Sequence, residues 1–319
     1  MDITITAPQC PICGNVSALR FAGVPDYQYS ASYSADFFRC GHCSHLFVYP
    51  AISDELVATF YAEYHTHTPI SRKRFAIIMI YAIETFFSVG VFRPSTRNSS
   101  VNALSEMPPG RLLDVGCGSG EFVKQMRDLG WDAVDGIDSD PKAVEACKTA
   151  NIPNIHNARM SEIRGPYKYL VLNHVIEHFS DPKVFMGDML RLLENGGVVL
   201  VKTPNSLSLM SRIFGRYWRG IESPRHMNVF SIASLDALFR SYSFKRSSIT
   251  TTNSLLFPVF YESLIAASRM KSRNKILLKL IAGLLFPFVV FVSMSLQILR
   301  GTLGDEIVGV FVKSENTGR

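Results

Sequence analysis

The sequence lacks the marks of a disordered, secreted or repetitive chain. Charged residues make up only 19% of its 319 residues and hydrophobic residues 47%, which excludes a disordered polymer and is enough for a substantial core. We find no low-complexity tract and no internal repeat. The first residues, MDITIT, contain no basic segment followed by an apolar one. We therefore expect no secretory signal and a cytoplasmic protein.

Cysteine is scarce as well, and its placement indicates metal binding rather than disulfide bonds. Four of the six cysteines form two C-x2-C pairs with 26 residues between them: Cys10, Cys13, Cys40 and Cys43. Without a secretory signal such pairs are typical metal ligands, and four thiolates supply the closed tetrahedral site of structural Zn²⁺. We predict a zinc ribbon over residues 1–50 with a hairpin between the pairs, against the alternative of four unrelated cysteines. His42 and His45 are expected at the surface.

The chain is moderately basic, with a formal net charge of +6. Such a charge suits nucleic acid, anionic lipid or a phosphorylated substrate, and equally an ordinary basic surface. The sequence lacks any run of Lys and Arg with interleaved aromatic residues. We therefore expect no nucleic-acid partner.

From residue 110 onward, short apolar runs alternate with helical segments. Strands are predicted at 111–115, 133–137, 169–172 and 198–202. Helices are predicted between them at 121–129, 141–150 and 182–193. This alternation is typical of an α/β domain with a mostly parallel sheet. Residues 51–109 form a predicted helical connector, which includes an apolar stretch at 75–92 and ends in a polar linker from residue 94.

A glycine-rich loop follows the first of these strands, in the segment Asp114-Val115-Gly116-Cys117-Gly118-Ser119-Gly120. Glycines let the backbone approach a ligand closely, and the helix that follows offers free N–H groups. Nicotinamide-binding folds use a related loop, but two acidic residues distinguish this one. Asp114 precedes the first glycine by two residues, and Asp138 ends the next strand, where a carboxylate can accept both ribose hydroxyls. Asp140 is expected to cap the following helix.

The segments LLDVGCGSG and VDGIDSDP resemble the class I S-adenosylmethionine (SAM) dependent methyltransferases. The resemblance implies a Rossmann-like seven-stranded sheet with SAM as cofactor, Asp114 orienting the methionine amino group and Asp138 binding the ribose. The residues that it implies at the cofactor are Asp114, Gly116, Cys117, Gly118, Gly120, Asp138 and Asn173. Residues 156–160 lack the acidic group that the family often places near the adenine, so we expect backbone or apolar contacts there.

A second motif, Asn173-His174-Val175-Ile176-Glu177-His178, follows the fourth strand and resembles the methyltransferase-23 and UbiG-like group. Ligands of open α/β sheets bind at the carboxyl ends of strands, so Asn173, His174 and the turn at 203–205 are expected to face the cleft. Three hypotheses remain open for His174, Glu177 and His178. His174 is a general base near the methyl acceptor; or the motif holds a divalent ion, as proposed for the E-x-x-E-H arrangement of ubiquinone-type O-methyltransferases; or Glu177 and His178 are framework residues. His174 in place of the first Glu disfavours Mg²⁺.

A third block, residues 206–231, is predicted to form a lid over the acceptor pocket. Its Trp218 and its Pro224-Arg225-His226 segment resemble a signature of the same zinc-ribbon group. His226 is the predicted acceptor-side base, and Arg225 is a candidate for binding an anionic group such as a phosphate. The alternative is that both residues pin the lid to the body. Ser231 is expected to cap the next helix.

The last insertion, residues 255–300, contains 20 uncharged residues at 280–299 with Pro287 near the middle. That length meets the threshold for a membrane span, but a predicted final strand at 304–313 returns the chain to the sheet and excludes a simple span. Two arrangements remain. One is a Pro-kinked hairpin in peripheral contact with the inner face of the membrane through 276–300, next to basic residues that touch lipid headgroups. The other is a buried helical pair that packs on the lid and on residues 75–92.

Together these features predict SAM-dependent methyl transfer to a small-molecule, sugar- or lipid-linked acceptor, by a methyltransferase domain over residues 110–319. Two alternatives come from other classes. One is RNA methylation, although the base-amino-methylating motif Asn/Asp-Pro-Pro-aromatic is missing after the fourth strand. The other is a non-catalytic SAM-fold module at a membrane surface, against which the intact glycine loop argues.

Overall fold

The structure, a computed structural model, describes residues 7–28, 32–60, 99–268 and 275–314. The apolar stretch 75–92 and the basic positions 269–273 lie outside the described residues. Two helices of the predicted connector are described, α1 (Asp54–Phe60) and α2 (Ser99–Ser105). Helix α2 occupies part of the segment that we expected to be a polar linker, because its Val101 and Leu104 are buried.

A four-stranded antiparallel sheet carries the paired cysteines. Its strands in spatial order are β1 (Ser17–Pro25), β2 (Ser34–Cys40), β3 (Leu46–Val48) and β9 (Asn228–Val229). Strands β1 and β2 form the predicted hairpin. The fourth strand, β9, comes from residues 206–231, which we call the lid, whereas the others belong to residues 7–28 and 32–48, which we call the ribbon. The ribbon and the lid therefore share one sheet.

A seven-stranded sheet forms the centre of the larger domain. In chain order its strands are β4 (Leu112–Val115), β5 (Val134–Asp138), β6 (Ile155–Asn157), β7 (Tyr167–Asn173), β8 (Leu193–Pro204), β10 (Phe244–Thr252) and β11 (Glu306–Lys313). Their spatial order is β10-β11-β8-β7-β4-β5-β6, and β11 runs antiparallel to both neighbours in an otherwise parallel core. Strand β4 is buried throughout, as expected for a parallel sheet covered on both faces. The predicted Rossmann-like seven-stranded fold is confirmed.

Five helices follow the strands, and all but the first begin at a residue whose side chain caps the first turn. They are α3 (Glu121–Asp128), α4 (Pro141–Thr149), α5 (Pro182–Leu192), α6 (Leu209–Phe214) and α7 (Ile232–Ser241). The Asp140 carboxylate accepts the N–H of Lys142, and the Ser231 hydroxyl accepts that of Ser234. Both satisfy an N–H group that the first turn of a helix leaves unpaired, so both predicted caps are confirmed.

The apolar insertion forms two helices, α8 (Leu256–Ser268) and α9 (Lys275–Arg300). Helix α9 continues through Pro287, so the hairpin expected at that proline is wrong. A proline removes one backbone hydrogen bond, and packing of Phe286 against Phe257 of α8, with ring centroids 4.7 Å apart, supports the helix at this point.

The opposite face of α9 is exposed and apolar, at Leu284, Phe288, Phe291 and Leu299. Helices α8 and α9 nevertheless pack on each other and share a core with Trp218 of the lid, as our second alternative expected, whereas residues 75–92, its other expected partner, lie outside the described residues. Among the residues that the structure describes, no helix combines the length and the apolar character needed to cross a membrane.

One hydrophobic core joins the ribbon, the lid and the insertion. It contains Phe37 of β2, Trp218 of the lid, and Phe260 and Phe286 of α8 and α9. The ribbon is thus packed on the elements that surround the acceptor side of the larger domain.

His45 corrects one of our expectations. We placed it at the surface, but pairing of β3 with β9 buries it completely, and its Nε2 lies 3.0 Å from the side-chain oxygen of Asn228. His42 is exposed, as predicted.

Candidate active site

The glycine loop joins β4 to α3 in a conformation that requires glycine. Gly116, Gly118 and Gly120 have φ angles of +66°, +52° and +72°, which L side chains rarely adopt. A Cβ on Gly116 would lie 2.7 Å from Val175, and one on Gly120 would lie 2.8 Å from Ile152. A Cβ on Gly118 would meet nothing within 4 Å, since this residue lines a large cavity. Gly118 is therefore the point at which a ligand can approach the backbone.

Asp138 ends β5 directly beside this loop. Its Oδ2 accepts the N–H of Gly118 at 2.9 Å, and its Oδ1 accepts the N–H of Asp140 at 2.8 Å. Each carboxylate oxygen has a second lone pair, so the two oxygens remain able to accept hydroxyl groups. The carboxylate lines the cavity in a fixed orientation.

Asp114 and Cys117 lie beneath the loop. Burial, and then the charge of Asp138, raise the pKa of Asp114 well above its usual value. Burial likewise raises the pKa of the Cys117 thiol, with Asp114 and Asp138 adding to the effect. Cys117 is thus a neutral packing residue whose side chain rests on Gly136, and its backbone N–H donates to the Ile137 carbonyl at 3.0 Å.

The cavity has a volume of about 1140 Å³ and opens at the carboxyl ends of the parallel strands. On one side it is lined by Ala158, Arg159 and Met160, the stretch in which we expected backbone or apolar contacts to an adenine. On the other side it is lined by the lid and by α8. This position follows the rule for ligands of open α/β sheets.

Asn173 and His174 reach the cavity from the end of β7. The side-chain oxygen of Asn173 accepts the hydroxyl of Ser100 in α2 at 2.5 Å. His174 has a φ of +56°, and this turn of the backbone directs its ring between two carboxylates. Its Nδ1 lies 3.2 Å from Glu177, and its Nε2 lies 2.6 Å from Glu306.

This pairing determines the charge of His174. Burial alone would lower its pKa, but hydrogen bonds to Glu177 and Glu306 outweigh burial and raise the pKa to about 9. For Glu306, burial opposes ionisation, but Lys202 at 3.1 Å and His174 hold the pKa at about 2. His174 is therefore a paired cation at neutral pH, which disfavours the general-base hypothesis for this residue.

A second group of side chains lies where the turn after β7 meets the lid. His178 donates from Nδ1 to the Arg225 carbonyl at 3.2 Å, and His226 donates from Nδ1 to the Gly220 carbonyl at 2.9 Å. The two rings are 4.7 Å apart. One ligand atom each of Glu177, His178 and His226 lies within 4.8 Å of the other two, so this trio could hold a metal ion. The 3₁₀ turn at Ile176–His178 directs Glu177 and His178 toward the lid.

His226 differs from His174 in charge. Burial lowers the pKa of His226 to about 4, although Glu222 opposes the shift. Its Nε2 lies 3.5 Å from the Glu222 carboxylate. His226 is a neutral imidazole at neutral pH, with an acid nearby that stabilises the protonated ring.

Arg225 is fully buried and paired inside the protein. Its guanidinium binds Asp26 of the ribbon at 2.8 and 3.1 Å, and its Nε donates to Glu222 at 3.2 Å. Arg225 therefore connects the lid to the ribbon and is not placed to bind an anionic substrate.

The four cysteines converge at the end of the ribbon. Their Sγ atoms lie within 4.8 Å of one another, with Cys10–Cys43 at 3.6 Å and Cys13–Cys40 at 3.5 Å. A tetrahedral zinc site with bonds of about 2.3 Å has sulfur atoms about 3.8 Å apart. The donor set and its geometry fit a structural zinc ion.

Glu306, Lys202 and Glu222 are site residues that the sequence did not reveal to us. Glu306 begins β11, and because β11 is antiparallel, its start lies at the edge where β8 ends. An antiparallel last strand could therefore have predicted that Glu306 lies at the site. Lys202 is only 7% exposed although it lies inside an apolar strand, and the partner that allows this is Glu306.

Residues 93–248 match the family model of the Methyltransf_23 methyltransferase domain. The ubiquinone biosynthesis O-methyltransferase of Caulobacter vibrioides is 33% identical over 103 residues, covering 30% of this chain and 40% of that protein. Its mitochondrial counterpart in Schizosaccharomyces pombe is 26% identical over 113 residues, covering 32% and 40%. The chain spans less than half the length of these curated relatives.

Solved methyltransferase structures are similar at lower identity. A SAM-dependent methyltransferase from Archaeoglobus fulgidus is 16% identical with a TM-score of 0.43, covering 64% of this chain and 86% of that one. One from Mesorhizobium loti is 14% identical with a TM-score of 0.43, covering 67% and 95%. The strand order of the seven-stranded sheet identifies the fold.

Two features define the class I SAM-dependent methyltransferase fold. The antiparallel strand β11 lies between β8 and β10, and the glycine loop with Asp138 lies in the opposite half of the sheet.

Proposed function

We propose that this protein transfers a methyl group from SAM to a small-molecule acceptor. One observation carries the proposal: the Asp138 carboxylate is fixed against the Gly118 N–H at 2.9 Å, on the wall of a cavity large enough for cofactor and acceptor together. A carboxylate at this position suits the two hydroxyls of a ribose.

The cofactor end is assigned to the loop and the strand ends. Gly116 and Gly118 line the cavity and offer backbone close to the ligand, whereas Gly120 shapes the loop and Cys117 packs beneath it, and neither of these two lines the cavity. Asp138 holds the ribose, and Asn173 lies at the wall between the two ends of the cavity. Asp114 is buried beneath the loop and does not line the cavity, so its part in orienting the amino group is indirect, through the loop that it supports. When bound, SAM supplies an electrophilic methyl group on its sulfonium.

The acceptor end is assigned to the lid, with His226 as general base. Its Nδ1–H is held by the Gly220 carbonyl, which leaves Nε2 as the basic atom. The ring is neutral at neutral pH, and once it takes a proton from the acceptor, Glu222 and Glu177 stabilise the cation. His178 packs edge-on against this ring and positions it.

His174 and Glu177 act as a charged framework. A row of four paired side chains contains two cations, His174 and Lys202, and two carboxylates, Glu177 and Glu306. The row is therefore neutral as a whole. It fixes the floor of the cavity between the cofactor and acceptor ends.

The finer nature of the acceptor follows from the surrounding surfaces. Leu255, Pro258 and Val259 line the cavity at the start of α8, and α8 packs against α9, whose outer face is apolar. An apolar face beside the acceptor entrance suits a lipid-linked or membrane-delivered acceptor. We propose a sugar- or lipid-linked acceptor and peripheral contact of α9 with a membrane surface.

Two measurements test the proposal. Calorimetry with SAM tests cofactor binding, and absence of binding would leave only the non-catalytic module. Transfer of labelled methyl from SAM is then measured on phenolic, glycosidic and lipid-linked acceptors. His226→Gln should lower kcat by roughly hundredfold or more while SAM affinity is kept. The control His156→Gln changes an exposed histidine outside the cavity and should be silent.

A further inference from the structure

Three arginines, which we call the arginine cluster, lie together where the ribbon meets the lid. The guanidinium of Arg39 in β2 donates to the Ser206 carbonyl at 3.2 Å, and the Nε of Arg212 in α6 donates to the neighbouring Leu207 carbonyl at 3.1 Å. Arg20 is in β1, which pairs with β2, and it follows by two residues the partner of Arg39 in that pairing. The ribbon and the lid thus bring three guanidinium groups to one place.

The charges of the arginine cluster are not compensated within the described part of the chain. None of its three guanidinium groups forms a salt bridge there, whereas Arg219 and Arg225 of the lid both do. Burial, and then the charges of Arg20 and Arg212, lower the pKa of Arg39. Arginine nevertheless stays protonated in proteins, so the cluster carries three positive charges and attracts an anion.

Two of the three arginines are exposed, and each has an exposed aliphatic neighbour in the sequence. Arg20 follows Leu19, whose side chain is 52% exposed, and Arg212 precedes Ile213, which is 60% exposed. An exposed mixture of basic and large apolar side chains is typical of surfaces that lie in the headgroup region of a membrane. Recognition of a free phosphate would require only the arginines and gives no reason for the aliphatic side chains.

The arginine cluster is close to the end of α9. The chain leaves α9 at Arg300, and the Leu303 carbonyl then accepts the N–H of Leu209, the first residue of α6. Arg212 follows Leu209 by three residues in the same short helix. Leu299, in the last turn of α9, is 77% exposed. The cluster therefore lies near the helix for which we proposed contact with a membrane.

We propose that the arginine cluster binds the phosphate of an anionic phospholipid headgroup. The inference rests on the membrane contact proposed for α9 and names the class of lipid that this contact selects. Arg20 and Arg212 donate to the phosphate oxygens, since a guanidinium offers two parallel N–H donors that match a phosphate. Arg39, held on the Ser206 carbonyl, adds its charge. The ribbon and the lid thereby hold the α9 side of the protein on an anionic surface.

The test measures binding of the full-length protein to vesicles by co-sedimentation. One set of vesicles is phosphatidylcholine alone, and the other contains four parts phosphatidylcholine and one part phosphatidylglycerol. The wild type should bind the anionic vesicles more tightly. Arg20→Gln and Arg212→Gln should each lower that affinity by about fivefold, the usual contribution of one basic residue at an anionic membrane surface.

The matched control is Arg240→Gln, which removes the same charge from an exposed pair with Asp236 on α7 and should bind like the wild type. Each variant should also bind SAM like the wild type in calorimetry, which shows that it is folded. Three results would overturn the proposal: equal binding of the wild type to both sets of vesicles, equal affinity of the three arginine variants for the anionic vesicles, or Arg20-dependent binding of inorganic phosphate without binding of vesicles.

A further variant, Phe288→Ser, separates this site from the membrane contact of α9, because Phe288 lies on the exposed apolar face of that helix. If Phe288→Ser loses vesicle binding and the arginine variants keep it, the headgroup site is refuted and the contact of α9 stands. If SAM binds and methyl transfer occurs but no vesicle is bound, the headgroup site is refuted and the methyltransferase stands. If Arg20-dependent vesicle binding occurs and SAM does not bind, the headgroup site stands and the proposed function fails.

Discussion

The Asp26 carboxylate of the ribbon and the Arg225 guanidinium of the lid form a buried two-point ion pair, with N–O distances of 2.8 and 3.1 Å. The Arg225 carbonyl in turn accepts from His178 in the cavity. Arg225 thus links the ribbon to a histidine that lines the cavity, in addition to the β3–β9 pairing and the Ser231–Cys43 hydrogen bond.

Breaking this pair should be costly. In Asp26→Asn the buried Arg225 guanidinium loses the charge of its main partner. Removing one partner of a buried ion pair lowers the free energy of unfolding by about 3–5 kcal/mol. We expect a loss of that size in the free energy of unfolding measured with urea. Asp128→Asn removes a carboxylate from the exposed pair with Lys124 and should cost about 0–1 kcal/mol. Equal effects of the two variants would contradict the account of the lid.

Stability should depend on pH through His174. The pKa of His174 in the folded protein is raised to about 9. Its contribution to the free energy of unfolding is therefore fully present below the ordinary histidine pKa of 6.5 and is lost as the pH rises through about 9. The wild type should therefore lose unfolding free energy relative to His174→Gln between pH 6.5 and pH 10. Parallel pH profiles for the two proteins would show that His174 is not held as a cation.

Gly220 is required by the lid for steric reasons. A Cβ at this position would lie 2.2 Å from the Trp218 ring, so Gly220→Ala must displace the indole. We expect a changed tryptophan fluorescence spectrum and lower stability. Gly187→Ala is the matched control, because its Cβ would meet nothing within 4 Å in the interior of α5 and alanine favours a helix. A silent Gly220→Ala would refute the observed packing.

Metal removal should loosen the lid. Strand β9 pairs with β3, and the Ser231 hydroxyl donates to the Cys43 carbonyl at 2.6 Å, so the cysteine site and the lid share backbone contacts. Chelation, or Cys13→Ser, should lower the zinc content and speed amide hydrogen exchange over residues 226–231. Cys147→Ser, a cysteine outside the cluster, should keep the zinc. If amide hydrogen exchange over these residues is unchanged after proven zinc loss, the metal does not stabilise the lid.

Local signals in the sequence predicted much of the fold correctly. The caps at Asp140 and Ser231, the glycine loop and the hairpin between the cysteine pairs depend on residues close in sequence. These features have strong local physical causes, so one sequence is enough to find them.

Long-range partners escaped prediction for the opposite reason. Glu306 lies 132 residues from His174, and Asp26 lies 199 residues from Arg225. Nothing local marks such pairs, and only the strand order brings them together. The path of α9 through Pro287 was missed because tertiary packing outweighed the local effect of proline.

The most direct test of the central claim is the affinity for SAM of the Asp138→Ala variant, measured by calorimetry beside Asp132→Ala, an exposed aspartate outside the cavity. The wild type and Asp132→Ala should bind SAM alike, whereas Asp138→Ala should bind roughly a hundredfold more weakly, because two hydrogen bonds to a charged group are lost. Equal affinity in all three proteins would contradict the assignment of this cavity to SAM.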